Sequence, residues 1–322
     1  MQTIEKFLSC DWGTSNFRLR LIEASTFSVL HEQRSNEGIS ATYQAWQTSG
    51  KDRWNFYLDI IQSNLAVLEE KTGTSLQNIP VVLSGMASST IGMMELPYKQ
   101  APFYADGRDL VTNIIKATDD FKHDIIIISG ATTGVDVMRG EETQMAGAFP
   151  EQKDMVIIFP GTHSKHSFIK DGMVTDIKTY MTGEFFELLS KKSILAASIE
   201  EGDELDSNNN RQSFKKGIEI SGSENILHSC FTVRTNSIFQ KLTKQENFYY
   251  LSGLLIGSEL RMLQSLNTTD ILLVGNSDIC LLYKTALEIL APQKENHTFK
   301  ITDGALAVIK GQLRILCQLN YL

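Results

Sequence analysis

Two short turns carry the residue types best suited to holding an anion. The first, Asp11-Trp12-Gly13-Thr14-Ser15-Asn16, lies between two apolar segments. A glycine in such a turn removes the side chain that would block approach, and the turn's backbone N–H groups can point at a phosphate. Gly13 supplies that opening, and Thr14, Ser15 and Asn16 add hydroxyl and amide donors. Asp11 has the wrong sign to touch phosphate but suits a Mg²⁺ held through water. The second turn, Pro160-Gly161-Thr162-His163-Ser164-Lys165, repeats the pattern and adds Lys165 as a cation. Two such hairpins on opposite sides of a cleft could clamp the phosphates of ATP, because phosphoryl transfer depends chiefly on positioning and charge neutralisation. Taken singly, each Gly-Thr turn also reads as an ordinary hairpin.

The elements around these turns follow from periodicity. Phe7–Cys10, Phe17–Leu21 and Ser28–His31 read as a strand meander, the second alternating strictly. A helix is expected over Lys51–Lys71, where Trp54, Leu58, Ile61, Leu65 and Leu68 share one face, and a second around Asp109–Thr118. Pro80–Leu83 and Asp124–Ile128 are short buried-type strands. After residue 150 the pattern restarts with the strand Met155–Phe159, the second turn, a strand over His166–Ile169 and a hairpin turn at Asp171-Gly172. Glu200–Asn210 reads as a surface loop, Asn247–Gln264 as a long helix, and Ile271–Val274 as a strand. Asp278–Leu290, with Asp278 where a cap would sit, and Asp303–Leu316 are the last helices. Strands alternating with helices predict an α/β fold. The glycines of the two turns lie 148 positions apart in 322 residues. Two similar halves, 1–150 and 151–322, facing each other across a central cleft, are therefore expected.

Composition narrows the partners. Lys plus Arg is 30 against 38 Asp plus Glu, a net charge of −8, and no basic block is present. Nucleic acid is therefore not an expected partner. The longest apolar runs are far short of the roughly 20 residues that span a bilayer, so no membrane role is expected. No basic n-region with an apolar stretch opens the chain, which predicts a cytoplasmic protein. Cys10, Cys230, Cys280 and Cys317 are too scattered for a zinc cluster or disulfide scaffold.

Asp11–Arg18 resembles the first phosphate motif of the actin/hexokinase/Hsp70 ATPase superfamily. Within it, five further segments are similar to the 2-dehydro-3-deoxygalactonokinase family: Ser84-Gly85-Met86 with Leu96-Pro97-Tyr98; Val137–Gln144; Pro160–Lys165; Met181-Thr182-Gly183-Glu184; and Leu251–Glu259. The resemblance runs from about residue 8 to residue 311. It implies two ribonuclease-H-like domains with a central cleft and ATP- and Mg²⁺-dependent phosphorylation of 2-dehydro-3-deoxy-D-galactonate at its 6-hydroxyl, in galactonate breakdown. The chain departs from the family at His166 and near Met93, where Trp is usual, and both positions would line the substrate side. A kinase of the same superfamily acting on another sugar or sugar acid, and a non-catalytic sugar sensor, are the rival readings. The chain could also pair as a homodimer.

The resemblance also suggests roles. A sugar kinase needs a carboxylate to take or orient the hydroxyl proton. Related kinases place it after a Gly at a helix start, which here is Glu141 in Gly140-Glu141-Glu142, with Asp136 second and Glu142 third. As acidic residues in a first helical turn, Glu141 and Glu142 also suit the helix dipole alone. A substrate carboxylate calls for the guanidinium fork, so Arg139 and Arg18 are candidates beside Arg108, with surface ion pairing as the alternative. Ser84, Gly85 and Met86 close a strand, where open sheets bind ligands, although Met86 also suits a core. The Gly275-Asn276-Ser277 corner fits the superfamily's adenosine site with Gly253 opposite, unless Gly253 serves helix packing.

Overall fold

The computed structural model describes residues 4–151, 154–201, 205, 207–265, 270–291, 298–319 and 321. The chain forms two compact units. The first comprises Met1–Asp154, Ser167–Ile177 and Thr302–Leu322; the second comprises Met155–His166 and Lys178–Ile301. The hairpin 167–177 and the C-terminal helix thus group with the first unit, although they follow residue 150.

In chain order the first part contains strands β1 (Lys6–Trp12), β2 (Phe17–Glu23) and β3 (Ser28–Ser35), and helices α1 (Ile39–Ser49) and α2 (Arg53–Thr72). Strands β4 (Val81–Gly85), β5 (Lys99–Gln100), β6 (Phe103–Tyr104), β7 (Thr112–Ile115), β8 (Ile125–Ile128), β9 (Ala131–Thr132) and β10 (Val137–Met138) follow, then helix α3 (Glu141–Ala148). The main sheet runs β3-β2-β1-β4-β8-β7, and a small one β10-β9-β5. β1, β4 and β8 are parallel and largely buried, and Ile125–Ile128 of β8 is wholly apolar, as suits central strands of an α/β sheet. Asp11 lies opposite Ser84 on β4 and Arg18 on β2, and Trp12 opposite Gly85 and Phe17. Trp12 packs edge-on to Phe17 at 4.8 Å and beside Tyr57 of α2 at 5.5 Å, which anchors the strand end that carries the first turn.

One expectation is corrected here. Asp109–Thr118 is no helix; it contains β7, antiparallel to β8 with Thr112 opposite Ile128 and Ile115 opposite Ile125. Ile114 and Ile115 are β-branched, and the free edge of β8 supplies hydrogen bonds that outweigh a short helical pattern.

The second part contains β11 (Met155–Phe159), β12 (Ser164–Lys170), β13 (Met173–Tyr180), α4 (Thr182–Glu187), α5 (Asn208–Ile220), α6 (Ile226–Ile238), α7 (Lys244–Leu260), β14 (Asp270–Gly275), α8 (Ser277–Leu290), β15 (Thr298–Asp303) and α9 (Gly304–Gln318). Asp171 and Gly172 both have positive φ, 51° and 75°, and turn β12 into β13. β11 and β14 are parallel, with Val156 opposite Ile271. Of the expected loop 200–210, residues 202–204 and 206 lie outside the described residues, and Asn208–Asn210 already belong to α5. Its cap is Ser207, whose hydroxyl accepts the Asn210 N–H. α8 is capped by Asn276, which accepts the Asp278 N–H at 2.8 Å, so Asp278 is a first-turn residue and not the cap.

Within the first unit α3 crosses α9 at two glycines. A Cβ on Gly147 would lie 2.0 Å from the Ala307 carbonyl oxygen, and one on Gly311 1.8 Å from that of Thr143. Gly311→Ala is expected to lose about 3 kcal/mol by forcing the helices apart. A melting temperature equal to the parent's would contradict this packing.

Candidate active site

In the first unit the ends of β1 and β4 and the start of α3 converge. Gly85 has φ +81°, and a Cβ there would sit 3.0 Å from the Trp12 carbonyl oxygen and 3.6 Å from the Asp11 carboxylate. Gly140, with φ +110°, caps α3, and its Cβ position is 3.5 Å from the Gly85 Cα. Both glycines have a φ that other residues rarely adopt, and at Gly85 a Cβ would also press on the Trp12 carbonyl. The base candidate Glu141 therefore begins its helix beside the strand end that carries Asp11.

Charges in this region are partnered. Asp11 is half-buried, with Arg18 at 3.7 Å; burial raises its pKa, against the pull of Arg18 and Arg20. Glu141 accepts the Arg139 N–H at 3.0 Å. The Arg139 guanidinium lies 4.2 Å from the centre of the Tyr98 ring and donates to Ser88 Oγ at 2.5 Å. Ser88 and Tyr98 adjoin Ser84-Gly85-Met86 and Leu96-Pro97-Tyr98, so the segments singled out from sequence meet here. Ser84 is buried, and Met86 packs against the apolar core. Asp136 is half-buried in the turn joining β9 to β10, where its carbonyl accepts from Thr132 Oγ1 at 2.7 Å.

Glu142 points inward and is 1% exposed. Its carboxylate takes the Gly140 N–H on both oxygens, at 2.9 and 2.7 Å, and the Thr143 hydroxyl at 3.1 Å. Burial, and then the neighbouring charge of Glu141, push its pKa up to about 7.

The turn Gly13–Asn16 is held by α1, an element without a clear sequence pattern. Ile39 N–H donates to the Gly13 carbonyl at 2.9 Å and Ser40 N–H to that of Thr14 at 3.1 Å. Thr14, Ser15 and Asn16 are exposed. Gln312 of α9, fully buried, was not anticipated. Its amide donates to the Cys10 carbonyl at 3.2 Å and Ser84 Oγ at 2.9 Å, tying β1 to β4 just before the site.

The second unit assembles the other set. Because β11 and β14 are parallel neighbours, the turn after one adjoins the corner after the other. A Cβ on Gly275 would lie 3.7 Å from the Pro160 carbonyl oxygen, so Gly275-Asn276-Ser277 borders Pro160–Lys165. Gly161 has open space where a Cβ would go, and Thr162 and His163 are exposed. Gly183 and Glu184 support the turn from below. A Cβ on Gly183 would be 2.5 Å from the Gly161 carbonyl oxygen, Glu184 N–H donates to the Thr162 carbonyl at 3.0 Å, and the Glu184 carboxylate meets His163 Nε2 at 2.6 Å. Lys165 is buried, its ammonium 3.3 Å from the His163 carbonyl. Gly253 packs α7 onto α5, where a Cβ would be 2.2 Å from the Phe214 carbonyl oxygen.

Met93 and His166 are buried at 3% and 0% exposure. The expectation that they line a substrate surface is therefore corrected. Met93 fills the core, and His166 stacks on Tyr180 and bonds Glu259 at 2.7 Å.

The family pattern described as 2-keto-3-deoxy-galactonokinase matches residues 11–315. The chain belongs to the 2-keto-3-deoxy-galactonokinase family. It is 30% identical over 298 residues to a protein of Rhizobium meliloti (strain 1021) that bears the name of a probable 2-dehydro-3-deoxygalactonokinase, covering 89% of this chain and 90% of that protein. Its identity to the Escherichia coli (strain K12) 2-dehydro-3-deoxygalactonokinase is 28% over 295 residues, covering 88% and 90%. A crystal structure of a Sinorhizobium meliloti protein assigned the same activity matches with a TM-score of 0.78 at 27% identity, over 98% of this chain and 100% of that one. As a 2-keto-3-deoxy-galactonokinase family member with a mixed α/β fold, the chain is a phosphotransferase. Among the described residues no helix is long and apolar enough to cross a membrane.

For this family member Glu142 makes a measurable prediction. A carboxyl at about 7 in the fold against 4.5 ordinarily favours the protonated native state, so stability is greatest below about pH 4.5 and is lost as pH rises through 7. Glu142→Gln removes that cost, by at most about 3 kcal/mol. The melting temperature of the Gln variant relative to the parent should rise between about pH 5 and 8. A pH-independent difference would contradict an inward-facing, raised carboxyl.

Proposed function

We propose that this chain transfers the γ-phosphoryl group of ATP to the 6-hydroxyl of 2-dehydro-3-deoxy-D-galactonate in galactonate catabolism. What supports the residue assignment is that the start of α3, with Glu141 as its first residue and Arg139 two before it, lies beside Gly85 and so beside the strand end that carries Asp11. Glu141 takes the hydroxyl proton, with Asp136 as the second candidate. Arg139 receives the substrate carboxylate, and Arg18, Ser84, Gly85 and Met86 complete the sugar side. Gly13–Asn16 and Gly161–Lys165 hold phosphate, and Gly275-Asn276-Ser277 receives the adenosine.

Mg²⁺ fits Asp11. Its partly exposed carboxylate stands at the end of β1. Mg²⁺ is commonly held by one carboxylate with waters and substrate phosphates. Bound there, it would neutralise phosphate charge; the protein's own part is to place Asp11 and keep Arg18 beside it. The substrates, on this reading, are a small sugar acid and ATP in the cytoplasm.

The test is ADP release with ATP and a panel of 2-keto-3-deoxy sugar acids. Turnover is expected to be greatest with 2-dehydro-3-deoxygalactonate. Turnover with none of them would end the proposal, and a clear preference for another acid would reassign the substrate.

A further inference from the structure

Glu259, near the end of α7, is 4% exposed and accepts hydrogen bonds from four side chains of the second unit. Oε1 takes Ser164 Oγ at 2.6 Å and His166 Nε2 at 2.7 Å; Oε2 takes Thr182 Oγ1 and, at 2.7 Å, the Tyr283 hydroxyl. Two donors on each oxygen fill the lone-pair capacity of one carboxylate. Each donor has a place in the candidate nucleotide site. Ser164 and His166 lie in and just beyond the second turn. Thr182 precedes Gly183 and Glu184, which support the carbonyls of Gly161 and Thr162. Tyr283 is on α8, the helix that starts at the Gly275-Asn276-Ser277 corner.

We propose that Glu259 is a positioning residue for nucleotide binding, fixing the phosphate turn, the segment beneath it and the adenosine corner relative to one another through one buried carboxylate. This rests on the reading of Pro160–Lys165 as the ATP phosphate turn. Glu259 touches no substrate; it acts through Ser164, His166, Thr182 and Tyr283. Buried hydrogen bonds to a charged group hold geometry firmly, because leaving any partner unmade is costly. A carboxamide at 259 keeps one acceptor oxygen and puts an NH₂ group in place of the other, so two of the four donors lose their acceptor and the link between their segments weakens.

The experiment compares Glu259→Gln, Tyr283→Phe and Gly161→Ala with the parent. It measures KM for ATP at saturating sugar acid, KM for the sugar acid at saturating ATP, ADP affinity by calorimetry, and thermal melting. Glu259→Gln is expected to raise KM for ATP and the ADP dissociation constant about tenfold, with KM for the sugar acid within about twofold. Tyr283→Phe, which removes one donor of the four, is the variant that keeps the test valid if Glu259→Gln does not fold; it is expected to raise KM for ATP about threefold. Gly161→Ala adds a methyl group in open space, so it folds and obstructs phosphate directly.

If Gly161→Ala weakens ATP while Glu259→Gln and Tyr283→Phe melt earlier but keep the parent's nucleotide constants, Glu259 only holds the fold and the positioning role is overturned. If none of the three changes KM for ATP, the turn is not the phosphate site and both readings fall together. A rise in KM for ATP in the Glu259 and Tyr283 variants but not in Gly161→Ala would overturn action through the turn.

Discussion

Glu141→Gln is expected to lower kcat by about 10²–10⁴-fold, the usual contribution of a positioned general base, with both KM values near those of the parent. The geometry is specific about why. Gly140, with φ +110°, turns the chain into α3 beside Gly85, so the first helical residue lies near the strand end where Asp11 stands. The amide isostere keeps the size of the side chain and can still accept the Arg139 N–H, so the fold is preserved while proton acceptance is lost. The competing role, an acidic residue serving only the helix dipole, is worth about 0.3–1 kcal/mol of stability and nothing in the chemical step. A kcat within a few-fold of the parent, with a slightly lower melting temperature, would assign Glu141 that role and move the base to Asp136.

The second large effect is expected at Arg139. Its guanidinium is pre-set, lying over the Tyr98 ring and bonded to Ser88, so a substrate carboxylate meets an already oriented fork. Arg139→Ala should raise KM for the sugar acid by about 10–100-fold, the worth of one charged hydrogen-bonded contact, and leave KM for ATP within about twofold. Arg139→Lys should recover little, because a point charge replaces a planar fork. Equal increases in both KM values would mean that Arg139 only braces the chain against Ser88 and Tyr98.

Sequence patterns found the parts of this protein whose signal is local. The apolar runs Ile125–Ile128 and Met155–Phe159 are buried strands, and the two Gly-Thr segments are turns at strand ends. Segments chosen for their residue types, Ser84-Gly85-Met86, Tyr98 and Arg139-Gly140-Glu141, do meet in the first unit. What was illegible depends on distant pairing. β7 looked helical because its partner β8 decides its conformation. Glu259 lies 95 positions from Ser164, and Gln312 lies 228 from Ser84. Glu259 closes the family-like segment Leu251–Glu259, but which side chains it would bond, like those of Gln312, is set by residues far away in the chain. Gly253, read from sequence either as part of the adenosine site or as a packing glycine, packs α7 onto α5.

The unit boundary has a similar cause. A repeated turn suggests a cut near the middle of the chain, but α9 closes onto α3 through Gly147 and Gly311 and so belongs with the first unit. Steric fit between helices, which no repeat in the sequence encodes, settles that grouping.

The central claim is transfer of one phosphoryl group from ATP to a defined hydroxyl of the sugar acid. Phosphorus NMR and mass analysis of the product formed from ATP, Mg²⁺ and 2-dehydro-3-deoxygalactonate test it most directly. The account predicts one phosphate monoester per ADP, coupled to the protons on the terminal carbon. Free phosphate in step with ADP, or an ester at another hydroxyl, would contradict it.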